Sequence, residues 1–192
     1  PGRARRAVMT DRPNILLFMA DNQPADLLGC YGNDEVSTPH LDALAARGQR
    51  FEQAYCVNAM CSPCRASVLT GLMPSQHGLH NWLDDRLIGQ WPENWSAIAE
   101  FNALPAMLKQ AGYATALIGK KHVEPPSVYT FDDEPQVDMR SPADMARKLA
   151  EFLAANPDKP FYAHLGSTHP HRGGKYFGND GEHEGLTWPD VD

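Results

Sequence analysis

Three short segments, each an apolar run that ends in a polar or charged loop, constrain this chain most. Asn14 opens the first, Ile15-Leu16-Leu17-Phe18-Met19-Ala20, which runs into Asp21-Asn22-Gln23-Pro24. Its length and lack of alternation predict a strand buried on both faces. Residues 104–112 read as an amphipathic helix with a glycine stop, and residues 113–118 as the strand that follows it. That strand delivers Gly119-Lys120-Lys121-His122. Residues 141–155 place Met145, Leu149, Phe152 and Leu153 at helical spacing. Residues 160–166 are the next strand, which leads into Ser167-Thr168-His169-Pro170-His171-Arg172. Helix leading to strand predicts an α/β fold with a mostly parallel central sheet flanked by helices. Ligands bind such sheets at the carboxyl ends of the strands, where these polar loops fall.

The densest chemistry lies in Cys61-Ser62-Pro63-Cys64-Arg65, continued as Ala66-Ser67-Val68-Leu69-Thr70-Gly71. Pro63 suits a first helical turn, Ser62 an N-cap and Gly71 a stop. A helix over residues 63–71 would leave Cys61 just ahead of its positive end, with Arg65 about one turn on. Nucleophile, cation and helix terminus would then converge on a small anion. A redox or zinc-binding Cys-x-x-Cys pair is the competing interpretation. It needs no arginine here, and Cys30 and Cys56 do not supply a second closely spaced ligand pair.

Other segments carry weaker signals. Thr38-Pro39-His40-Leu41-Asp42-Ala43-Leu44-Ala45 predicts a helix capped by Thr38, closed by Gly48 and packed through Leu41, Leu44 and Ala45. Residues 51–56 predict a short strand. Trp82, Trp91 and Trp95 lie in a loop-like region, and residues 173–192 carry no helix or strand signal. Asp21 and Asn22, successive oxygen donors at a strand end, suit a hard cation such as calcium or simply make a turn.

The chain has 192 residues, 42% hydrophobic and 21% charged, with a net charge of −7. This balance predicts a globular domain and no general affinity for nucleic acid or acidic membranes. An anionic substrate would need a local positive pocket. No apolar run reaches membrane-spanning length, and the basic start lacks an apolar signal core, so a cytoplasmic location is expected. Residues 1–12 are expected to be a tag remnant or a disordered terminus.

Cys61-x-Pro63-x-Arg65 followed by Thr70-Gly71 resembles the sulfatase signature. So do Gly29-Cys30-Tyr31-Gly32-Asn33, His77-Gly78, Gly119-Lys120-x-His122 and Pro170-His171. The resemblance implies an alkaline-phosphatase-like fold in which Cys61 is oxidised to formylglycine by a formylglycine-generating enzyme. The hydrated aldehyde is then the nucleophile. Asp21, Asn22 and the residue at 61 would bind calcium, although many members carry Asp at the second position. By the same resemblance, Arg65 and Lys120 hold sulfate oxygens and His122 contacts the formylglycine. His171 is the candidate acid for the leaving group, with His169 the alternative. His77 and Arg172 are candidate substrate contacts. Residues 119–132, 170–172, 177–179 and 188–189 look closest to the sulfamidase branch, which cuts the S–N bond of N-sulfated glucosamine in heparan-type sugars. Family members are much longer, so residues 13–192 are expected to be the N-terminal part of a catalytic domain, inactive alone. A phosphonate or phosphodiester hydrolase of the same superfamily and a non-catalytic carbohydrate-binding relative are the other readings. Oligomeric state is left open.

Overall fold

The computed structural model describes residues 12–83 and 100–171. Three parallel strands form its sheet in the order β1-β3-β2: β1 is Ile15–Asp21, β2 Ala114–Gly119 and β3 Phe161–Pro170. The helices are α1 (Pro39–Arg47), α2 (Cys61–Thr70), α3 (Pro74–His77), α4 (Leu104–Gln110) and α5 (Pro142–Ala155). The expected α/β architecture is therefore present.

Side-chain alternation on β3 divides the core. Ala163 and Leu165 face α5, where they meet Met145 and Phe152 together with Ala116 and Ile118 of β2. Tyr162 faces the other way, into Leu117 and Phe131, with Leu104 and Leu108 of α4 packed behind. Burying a side chain as large as Phe152 contributes about 1.5–3 kcal/mol. Ser141 caps α5 by accepting the Asp144 N–H at 3.1 Å. A third cluster joins Ala66 and Leu69 of α2 to Leu79, Leu83, Val123 and Tyr129.

Four local expectations need correction. Among the described residues β1 pairs only with β3, and Leu16 and Phe18 are 53% and 56% exposed there, against the expectation of a strand buried on both faces. α1 buries none of its residues, and Leu41 and Leu44 lie exposed. Its Thr38 is no side-chain cap: the hydroxyl donates to Asp42 Oδ1 at 3.0 Å and accepts the Gly29 N–H at 2.8 Å. Residues 51–56 are irregular. Finally, α2 starts at Cys61, and Ser62 Oγ accepts the Leu83 N–H at 3.1 Å instead of capping the helix.

Candidate active site

The ends of the strands and the start of α2 meet at one edge of the sheet. Asp21 closes β1, Lys120 follows β2, and His171 follows β3. β3 lies between the other two strands, with Gly119 opposite Gly166 and Asp21 opposite Pro170. The backbones crowd where Lys120 departs. A Cβ on Gly166 would lie 2.2 Å from the Lys120 carbonyl oxygen, and one on Gly119 2.4 Å from the Gly166 oxygen. Gly119 also has φ +100°, a region that favours glycine.

Asp21 is the hub. Its Oδ2 accepts from Lys120 Nζ at 2.5 Å, and its Oδ1 lies 3.7 Å from Arg65 Nη2. The Cys61 thiol donates to Oδ1 across 3.5 Å. Arg65, buried, also donates from Nη1 to the Lys120 carbonyl at 3.1 Å, which ties α2 to the end of β2. Two cations face one carboxylate, so the centre carries the local positive charge that an anionic substrate requires. Burial raises the Asp21 carboxyl, but the Lys120 hydrogen bond and the Lys120 and Arg65 charges outweigh it and leave it below its usual range. For Cys61, burial dominates and pushes the thiol up.

Ligand atoms of Asp21, Cys61 and His171 lie within 4.8 Å of one another. His169 turns away: its Nε2–H donates to the Arg140 carbonyl at 3.0 Å, and Arg140 Nη1 reaches the His171 carbonyl at 3.4 Å. Of the two histidines, it is thus His171 that joins the cluster. His122 has φ 55° and donates from Nε2 to the Leu83 carbonyl at 2.6 Å, edge-on to Trp82. Leu83 thereby bridges His122 and Ser62. His77 is buried; its Nδ1 accepts the Leu79 N–H at 3.1 Å and its Nε2–H meets Ser67 Oγ at 3.0 Å. Among the described residues it is fully buried and ties α2 to the turn that follows α3. Asn22 is exposed at φ 60° beside Asp21. Arg172, Trp91 and Trp95 lie outside the described residues.

Three contributors carry no mark in the sequence: Arg140, the Leu83 backbone and His164. His164 is buried on β3 against the Phe131 ring, and both ring nitrogens lack a hydrogen-bond partner among the described residues. Burial, aided by the Arg65 charge, lowers it to about 4.

As for a cation, the described donors suit one in part. The Asp21 carboxylate and neighbouring Asn22 amide are hard oxygen donors of the kind calcium takes. The Cys61 sulfur is not, but an oxygen in its place would be.

A parallel α/β sheet with a nucleophile, two cations and a carboxylate gathered at its carboxyl edge defines a hydrolase-like anion site. Residues 13–182 match the family described as Sulfatase, and the chain belongs to that family. It is 36% identical over 168 residues to human N-sulphoglucosamine sulphohydrolase, covering 84% of this chain and 32% of that protein. It is 33% identical over 183 residues to an ulvan-active sulfatase of Formosa agariphila, covering 93% and 34%. A solved protein in complex with its substrate, D-glucosamine-2-N,6-O-disulfate, superposes with a TM-score of 0.66 at 28% identity, over 84% of this chain and 35% of that one. The chain spans about a third of the length of the curated relatives it matches.

Proposed function

We propose that the full-length protein releases inorganic sulfate from a sulfated sugar, with the N-sulfate of a heparan-type glucosamine as the leading substrate. The observation that carries this reading is the meeting of Cys61, Arg65, Lys120 and Asp21 within hydrogen-bonding or ion-pair reach. The sulfated glucosamine bound by the solved relative, and the name of the human one, support the sugar class.

In this reading Cys61 is converted to formylglycine, which when hydrated supplies an oxygen nucleophile in place of a thiol. Asp21, now bonded to the Cys61 side chain, accepts a hydrogen bond from that oxygen and orients it. Arg65 is held rigidly by burial and by the Lys120 carbonyl, so its guanidinium is preorganised to meet sulfate oxygens. Lys120 Nζ offsets charge on the same group. His171 protonates the departing nitrogen or oxygen. Asp21, Asn22 and the oxygen at position 61 would hold a divalent cation, calcium by their chemistry, which would add further positive charge beside the sulfate.

Rates on N-sulfoglucosamine, a 6-O-sulfated sugar and a phosphodiester, measured with one full-length preparation, test this reading. We expect sulfate release from a sugar to dominate. A phosphodiester cleaved fastest would replace it with the phosphodiesterase reading.

A further inference from the structure

Trp82 is a large apolar side chain left 43% exposed, yet its backbone is tied on both sides. Its own N–H donates to Asn81 Oδ1 at 2.8 Å. The next N–H, that of Leu83, donates to Ser62 Oγ at 3.1 Å, and the Leu83 carbonyl accepts from His122 Nε2 at 2.6 Å. Ser62 follows Cys61 in the first turn of α2, and His122 belongs to the loop that begins at Lys120. The Leu83 side chain is buried in the cluster that also holds Ala66 and Leu69 of α2. Trp82 is thereby fixed to the helix that carries Cys61 and to the loop that carries Lys120. Its ring meets the His122 ring at 80°, with centroids 6.0 Å apart. An indole held in place beside a polar site and still open to water forgoes the apolar burial it would gain elsewhere in the fold.

We propose that Trp82 is the platform for the sugar ring of the substrate, its indole stacked on the ring's C–H face while Arg65 and Lys120 hold the sulfate. This inference rests on the sulfated-sugar reading and adds to it the residue that selects the saccharide over the bare anion. A pyranose carries C–H groups on its faces and hydroxyls around its rim. Those hydrogens are slightly positive and suit the negative face of an aromatic ring. Asp21, Arg65 and Lys120 meet one another through charge alone, so they recognise an anion and present nothing apolar to the group that bears it. Small-molecule sites combine a few polar groups that fix orientation with an aromatic or aliphatic wall. Trp82, on the His122 side of the centre, supplies that wall. Its backbone is pinned before the sugar arrives, so little ordering is required on binding.

The test is calorimetry on full-length protein carrying Cys61→Ala, which lacks the nucleophile, with N-sulfoglucosamine and inorganic sulfate as separate probes. The expected result is that the sugar binds more tightly than sulfate. Adding Trp82→Ala should weaken the sugar about tenfold and leave sulfate affinity unchanged, and Trp82→Phe, which keeps a ring, should recover most of the loss. Sugar affinity unchanged in Trp82→Ala would overturn the platform and leave the sulfated-sugar reading standing. An equal loss for both probes would also overturn it, making Trp82 a brace of the anion site. Sulfate bound as tightly as N-sulfoglucosamine before Trp82 is altered, or neither probe bound, would overturn the platform and the sugar reading together.

Discussion

Lys120 and Asp21 leave the carboxyl ends of the two outer strands and meet at 2.5 Å across the end of the central one. Neither strand alone could set that distance; the shared register with β3 does. A charge-assisted contact of this kind, beside buried Arg65, makes the sheet edge a preorganised electrostatic site.

Lys120→Ala in the full-length enzyme should lower kcat/KM for sulfate release by about 100-fold or more, the scale for losing one preorganised donor. The unfolding midpoint should also fall, because the buried Asp21 carboxylate is left with Arg65 alone, at 3.7 Å. Steady-state kinetics beside a urea titration checks both. Unchanged kinetics would remove Lys120 from the sulfate site.

Gly166→Ala should damage the site through the backbone. The added carbon would sit 2.2 Å from the Lys120 oxygen, and the atoms it meets are main-chain atoms that cannot rotate away. Overpacking of this kind costs about 1–3 kcal/mol. Urea unfolding should show that loss, together with reduced turnover in the fraction that stays folded.

His164 makes stability depend on pH. Its folded value is about 4 against an ordinary 6.5, because burial and Arg65 disfavour the charged ring. As pH falls through 6.5 the unfolded chain takes up this proton, while the folded chain does not until about 4. Stability is therefore fully present above that window and lost progressively within it, on the order of 2 kcal/mol by about pH 5. His164→Leu should flatten this part of the profile and remove two buried nitrogens that have no partner among the described residues. Urea midpoints of both proteins at about pH 5 and pH 7.5 test it; a pH-independent difference would contradict it.

His77→Ala should lower stability by about 1–3 kcal/mol, because the buried Ser67 hydroxyl and Leu79 N–H lose their partner. KM should stay unchanged in the folded protein. A raised KM with unchanged stability would restore His77 as a substrate contact.

The candidate-site edge was legible because chemistry-bearing residues follow apolar runs directly: Asp21 after β1, Lys120 after β2, His171 after β3. What the sequence did not disclose depends on distant partners. Ser62 has the look of an N-cap, but the Leu83 N–H claims its hydroxyl from 21 residues away. Leu41 and Leu44 have helical spacing, which shows that a stripe exists but not what covers it. An apolar run does not reveal which neighbours cover it, and among the described residues β1 pairs only with β3. His164 sits among apolar neighbours with no motif around it, and its burial follows from tertiary packing alone.

The most direct measurement is the mass of the tryptic peptide spanning residues 51–65, taken from full-length protein that releases sulfate. The account predicts that residue 61 has lost a sulfur and two hydrogens and gained one oxygen, the change from cysteine to formylglycine. A fully active preparation in which Cys61 is still an unmodified thiol would contradict it.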